Sequence, residues 1–206
     1  MVKLIIFDFS GTLAHCEAKD YREMLGKLRD FNLPVDEAKA AKLEEKMPEY
    51  FSEAANWEEL TNRVIQKLGL VLEADRREAL AVFLEKKLGC KLFADAHDIL
   101  ALPQKKAILT LSRKFVVESV PELRNFEIFS PEITGAKKPN PKAFLAVLKK
   151  MRIAPRDALM VGDSLEVDIN PAKAAGIKAI LVDREGKIDD NSIVKIASLK
   201  ELKKFL

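Results

Sequence analysis

The sequence predicts an α/β protein in which a parallel sheet with flanking helices is interrupted near its start by a helical insert. Three observations carry this expectation. Short apolar runs bounded by turn chemistry occur at Val2–Phe7, Ala107–Leu111, Ala158–Val161 and Ala179–Val182, each reading as a strand buried on both faces. Helical segments separate the later runs, an alternation that favours parallel strands joined by crossovers. Between Glu17 and Gly89 there is no convincing strand, only helical periodicity.

The elements follow in order. After the first strand, Tyr21, Met24, Leu25, Leu28 and Phe31 lie at helical spacing, predicting a helix near Asp20–Phe31. A second helix is expected over Asp36–Met47, stopping before Pro48. Asn56 and Glu59 make a box-like start for a third, carrying Leu60, Val64 and Leu68 and closed by Gly69. A fourth runs from Glu73 to Leu88 and ends at Gly89. Beyond the insert, Ile128–Phe129 and Ile193–Ile196 are weaker strand candidates. Pro141–Met151 is an amphipathic helix opened by proline, with Phe144, Val147, Leu148 and Met151 on one face, and Asp168–Ala175 a short helix closed by Gly176.

Composition narrows the class of function. The 206 residues, 48% hydrophobic, suffice for a core without a structural metal. Because 35 basic residues nearly cancel 32 acidic ones, the net charge of +3 gives no field of the kind that collects nucleic acid or anionic membrane. No apolar run approaches the roughly 18 residues of a membrane span, and Leu4–Phe7 is too short for a signal segment. Cys16 and Cys90 form no CxxC pair and lack histidine-rich surroundings, so they read as thiols in a reducing, cytoplasmic compartment. Glutamine is scarce beside abundant Lys and Glu, a balance that leans towards a heat-adapted source.

The residues that carry chemistry sit where strands end. Asp8, in Phe7-Asp8-Phe9-Ser10-Gly11-Thr12-Leu13, leaves a buried strand for a glycine-containing loop, where a carboxylate can be a nucleophile or a metal ligand, or simply cap a turn. Asp163 and Asp168, in Gly162-Asp163-Ser164 and just beyond, follow another strand. Hard cations such as Mg²⁺ bind through one or two carboxylates with waters and phosphate oxygens, so Asp8 and Asp163 make a plausible Mg²⁺ site, while Asp168 is also a candidate helix cap. Lys138, before Pro139-Asn140-Pro141, can neutralise a phosphate or orient a carboxylate; Thr110 can offer a hydroxyl to a phosphate oxygen.

Strand-Asp, helical insert, strand-Thr, Lys-Pro before a helix, then strand-Gly-Asp with a further Asp: in this order the motifs resemble the haloacid dehalogenase superfamily over nearly the whole chain. The resemblance implies a Rossmann-like parallel-sheet core formed by residues 1–15 and 91–206, with residues 16–90 as a four-helix C1 cap. It further implies phosphoryl transfer through an aspartyl-phosphate at Asp8, with Thr110 and Lys138 positioning the phosphate. Asp163 would be a direct Mg²⁺ ligand together with Asp8 and the backbone carbonyl of Ser10, and Asp168 would hold the outer shell of the metal. The expected partner is a small phosphorylated substrate, and nothing in the sequence demands an oligomer.

One position departs from the family pattern. Two residues after the nucleophile, family phosphatases carry a second aspartate that protonates the leaving oxygen; here it is Ser10. Losing a general acid typically lowers rate by about 10²–10⁴. The first reading is therefore a phosphohydrolase of reduced or leaving-group-restricted activity, suited to aryl phosphates, acyl phosphates and anhydrides. His15 is a candidate base for water, or a hinge or surface histidine. The alternatives are a C–P or C–X hydrolase of phosphonatase or dehalogenase type, the former needing a Schiff-base lysine from among Lys19, Lys27, Lys39, Lys42, Lys46, Lys67, Lys86 and Lys87, and a catalytically lapsed phosphate-binding module. Met47, Tyr50, Phe51 and Trp57 either line a substrate pocket or fill the bundle's own core.

Overall fold

The structure is a computed structural model that describes residues 1–16, 28, 33 and 36–206. Its strands are β1 (Leu4–Phe7), β2 (Ala14–Cys16), β3 (Cys90–Leu92), β4 (Lys105–Leu109), β5 (Glu127–Phe129), β6 (Ala158–Gly162), β7 (Lys178–Val182) and β8 (Lys195–Ile196). The chain divides into two compact units, one of Met1–His15 with Cys90–Leu206, the other of Cys16–Gly89.

The first unit is built on a six-stranded sheet in the order β5-β4-β1-β6-β7-β8, every pairing parallel. β1 is central and buried throughout. The chain moves outward from it on one side through β4 and β5 and on the other through β6, so the order reverses at β1, and loops leaving that point diverge to open a crevice at the carboxyl ends of the strands. Alternation sets the faces: Leu4 and Ile6 of β1 pack with Ala107 and Leu109 of β4 and with Phe144, Val147 and Leu148 of the helix Pro141–Met151. That helix begins and ends where the sequence predicts, with Pro141 in its first turn and Arg152 stopping it in a left-handed conformation, φ 55°.

Several details differ from the sequence reading. β4 starts at Lys105, because Lys105 and Lys106 pair with Leu4 and Ile5, and stops at Leu109, leaving Leu111 half exposed. The stretch Leu165–Ile169 is a wide turn in which Ser164 O accepts from both Asp168 N and Ile169 N; the regular helix begins only at Asn170. Asp168 therefore lies inside a π-type turn instead of starting a helix, a distortion often found at functional sites. Cys16 and Cys90, read from sequence as thiols, are disulfide-bonded, on the adjacent strands β2 and β3. Seventy-odd intervening residues concealed that proximity. Disulfides are rare in reducing compartments, so the pairing removes the thiol argument for a cytoplasmic location.

In the second unit, the helices Glu37–Glu53, Trp57–Leu68 and Ala74–Leu88 are described, while the expected helix at Asp20–Phe31 lies outside the described residues apart from Leu28, which is buried. The helix Glu37–Glu53 runs through Pro48, where a stop was expected. Leu43, Met47 and Phe51 recur every fourth residue and are all buried. Each such burial contributes about 1.5–3 kcal/mol, which together outweighs the roughly 3 kcal/mol of an interior proline. The helix Trp57–Leu68 starts as predicted: Asn56 accepts from Glu59 N at 2.8 Å, and Glu59 reaches back to accept from Ala55 N at 2.8 Å. Gly69 ends it at φ 65°. No helix among the described residues is long and apolar enough to cross a membrane.

Candidate active site

Asp8 follows β1, Thr110 follows β4 and Asp163 follows β6, so three adjacent parallel strands deliver three candidate residues to one end of the sheet. The backbone continues to hold them there: Asp8 N donates to Val161 O at 2.9 Å and Thr110 N to Phe129 O at 3.0 Å. Lys138, from the segment before the helix Pro141–Met151, is buried and donates to Oδ1 of Asp8 and to Oδ1 of Asp168, both at 2.6 Å. Asp168 Oδ2 accepts from Ser164 N at 3.2 Å. Thr110 Oγ1 accepts from Ser112 N at 2.9 Å, and Ser10 is exposed in the loop after Asp8.

The electrostatics follow from burial of like charges around one cation. Burial pushes the Asp168 pKa up and the charge of Asp8 pushes it further, to about 6, against the opposing pull of Lys138. Partial removal from water and the charge of Asp8 raise Asp163 as well. Burial disfavours the Lys138 ammonium, but the two carboxylates outweigh it and hold its pKa above the ordinary lysine value.

Carboxylate oxygens of Asp8, Asp163 and Asp168 lie within 4.8 Å of one another. An all-oxygen donor set suits Mg²⁺ and not a soft metal. Lys138 and Ser164 N take both oxygens of Asp168 and Oδ1 of Asp8, which leaves Oδ2 of Asp8 and the exposed carboxylate of Asp163 for a cation. Raised acid pKa values also fit a site that lacks positive charge.

Glycines let the loops approach. Gly11, at φ +89°, presses on Asp163: a Cβ there would sit 2.2 Å from Oδ2. On the same loop Thr12, which no sequence signal singled out, donates to Asp163 Oδ1 at 3.4 Å. Gly11→Ala is expected to store about 1–3 kcal/mol of backbone strain and displace Asp163, lowering turnover about 100-fold. Thermal melting and steady-state phosphate release check both.

Other candidates fall elsewhere. The ring of His15 lies 6.1 Å from that of Phe93 at 53°, a packing contact within the first unit. Met47 and Phe51 are buried, and Phe51 meets Trp57 edge-on at 5.9 Å, so these side chains fill the helical unit's own core. Lys39, Lys42, Lys67 and Lys86 are exposed, Lys46 and Lys87 half-buried; Lys19 and Lys27 lie outside the described residues. A hydrogen bond from Lys46 to Glu49 raises its pKa, the reverse of what a Schiff-base amine needs.

A parallel sheet with its acidic cluster and lysine at the reversal of strand order defines a hydrolase-type α/β core, and comparison places it. Residues 2–176 match the family model of haloacid dehalogenase-like hydrolases, and the chain belongs to that family. It is 26% identical over 161 residues to a phosphoserine phosphatase of Thermus thermophilus, covering 70% of this chain. It is 28% identical over 192 residues to a putative pyrophosphatase of Clostridium perfringens, covering 86% of this chain and 82% of that protein. The chain spans 63% of the Thermus protein and between 20% and 27% of three further phosphatase relatives. A 2-haloacid dehalogenase structure from Pseudomonas syringae pv. Tomato DC3000 superposes over 99% of this chain and 97% of its own with a TM-score of 0.66 at 24% identity, a likeness of fold.

Proposed function

We propose that the chain is a Mg²⁺-dependent phosphohydrolase for small phosphorylated molecules, working through an aspartyl-phosphate at Asp8 and restricted to good leaving groups. The observation that supports this reading is the pair of 2.6 Å contacts from the buried Lys138 ammonium to Asp8 and Asp168, beside the Asp163 carboxylate. An anionic nucleophile approaches an anionic phosphate only where fixed positive charge offsets the repulsion. Lys138 supplies part of it and aims Oδ1 of Asp8. Mg²⁺, held by Asp8, Asp163 and the Ser10 carbonyl with Asp168 supporting, would supply the rest by polarising the phosphoryl oxygens. Thr110 would bond a phosphate oxygen.

In the first step Asp8 forms a bond to phosphorus as the bond to the leaving oxygen breaks, and that oxygen departs with the electron pair. Ser10 has no tuned proton to give it. Aryl phosphates, acyl phosphates and anhydrides tolerate this, and the pyrophosphatase name of one relative belongs to that class of leaving group. Water then attacks phosphorus as the bond to Asp8 breaks, the electron pair returning to the carboxylate, and the proton of the attacking water leaves with the released phosphate or to solvent.

Release of phosphate from p-nitrophenyl phosphate and acetyl phosphate is expected in Mg²⁺ and lost in EDTA and in Asp8→Asn. Ser10→Asp is expected to raise turnover of an alkyl phosphate by at least 10²-fold. Activity that survives Asp8→Asn would overturn the nucleophile. Chloride release from a 2-haloacid would instead support the dehalogenase alternative, and Mg²⁺ and phosphate binding without turnover the lapsed module.

A further inference from the structure

We infer that Arg184, held by Asp95, is a positioning residue for the loop after the nucleophile, an inference that rests on the catalytic reading of Asp8. Arg184 lies just past β7, outside the acidic cluster, and its guanidinium bonds the backbone of the loop after Asp8. Nη2 donates to Thr12 O at 2.8 Å and Nε to Gly11 O at 3.4 Å. The other edge of the same plane forks onto Asp95, with Nη1 2.8 Å from Oδ2 and Nη2 3.1 Å from Oδ1. The face of the guanidinium stacks on Phe93, 4.0 Å from the ring centroid.

Asp95 is itself fixed. It is buried, and its Oδ2 also accepts from Ser198 Oγ at 2.8 Å and Leu199 N at 2.9 Å. Burial pushes its pKa up, but the bonds from Arg184, Ser198 and Leu199 outweigh that and bring it below the ordinary aspartate value, so it stays an anion at neutral pH. The guanidinium is thereby held in one orientation by a planar fork, a function that a lysine's point charge does not reproduce.

Holding two carbonyls fixes peptide planes. The Thr12–Leu13 peptide is pinned at both ends, its carbonyl by Arg184 and its N–H by Phe9 O at 2.9 Å. The Gly11 carbonyl is held by Arg184 while the opposite side of Gly11 abuts Asp163, whose Oδ2 would lie 2.2 Å from a Cβ there. Thr12 also donates to Asp163. Arg184 therefore sets how far the loop stands from Asp163, and with it the separation of the Asp8 loop from the carboxylates that follow β6. A misplacement on the scale of 1 Å in such a site lowers rate by about 100-fold.

Arg184→Met removes the donors and keeps the chain length. Ser198→Ala is the control, since it weakens the Asp95 cluster while leaving the loop bonds in place. With p-nitrophenyl phosphate and Mg²⁺, Arg184→Met is expected to lower kcat about 10- to 100-fold at a KM changed less than about threefold, the pattern of an interaction expressed in the transition state. Ser198→Ala should stay within about twofold in both. Hydrogen exchange at Gly11, Leu13 and Ala14 should quicken at least tenfold in Arg184→Met relative to Ser198→Ala, with β6 unchanged in both. Equal loop exchange in the two variants would overturn the inference. If the wild type shows no phosphatase activity, the catalytic reading fails, and loop exchange alone decides the role of Arg184.

Discussion

Lys138→Met is expected to abolish measurable turnover and to destabilise the metal-free protein at neutral pH by about 3–5 kcal/mol, the penalty of leaving buried charge without its partner. The Lys138 and Asp168 side chains are each 1% exposed and that of Asp8 10%. Methionine fills a similar volume, so the loss reports the charge and not a cavity. Removing a fixed positive group from such a site lowers rate by about 10²–10³ on electrostatic grounds alone.

The stability loss carries a sign that distinguishes this cause from ordinary misfolding. Asp168 already titrates near 6 with Lys138 present, and loses the main influence that lowers it when the ammonium is gone, leaving only the bond from Ser164 N. A carboxyl whose folded pKa exceeds the unfolded value of about 3.9 binds protons more tightly when folded. Stability therefore falls as pH rises through that window. The deficit of Lys138→Met is expected to be small near pH 4 and to widen towards pH 7. Wild-type Lys138, its pKa raised by the two carboxylates, stabilises where they are ionised and loses its contribution as pH rises through its folded value. Urea titrations of both proteins in EDTA at pH 4, 5.5 and 7 check this; a deficit independent of pH would show that packing, not charge, carries the effect.

The sequence made Asp8, Lys138 and Asp163 legible because each follows or precedes an element whose pattern is strong: a buried apolar strand, or a helix opened by proline. Lys138 could be assigned a task but not its two partners, since contacts across 130 and 30 residues are a property of the sheet order. Asp168 was ambiguous for a local reason, as a helix start and a π-type turn present the same residues. Pro48 misled because a local penalty was weighed without the burial of Met47 and Phe51 around it. Arg184 and Asp95 gave no signal at all: one follows a strand, the other a hydrophobic residue, and only tertiary packing joins them. The pairing of Cys16 with Cys90 was equally silent, because each half lies beside the helical insert and spacing alone suggests nothing.

That disulfide should carry an effect on stability of similar size to the loss of Lys138. It closes a loop of roughly 75 residues, for which loss of chain entropy in the unfolded state amounts to about 4 kcal/mol. The benefit falls on global and not on local unfolding. When only the helical unit unfolds, its ends stay close anyway, because Leu13 O accepts from Phe93 N at 3.0 Å within the folded α/β unit. When both units unfold, the central strand β1 separates from β4 and β6 by the full insert, and the cross-link alone keeps them near. Reduction is therefore expected to lower the melting temperature of global unfolding by about 10 °C. Amides of β1 and β6 that exchange through global unfolding should lose protection. Cys16→Ser with Cys90→Ser should reproduce the shift and be insensitive to reductant. Thiols that titrate as free in the untreated native protein, or a melting temperature that reductant leaves unmoved, would refute the account, because the entropy argument requires the cross-link to persist in the unfolded chain.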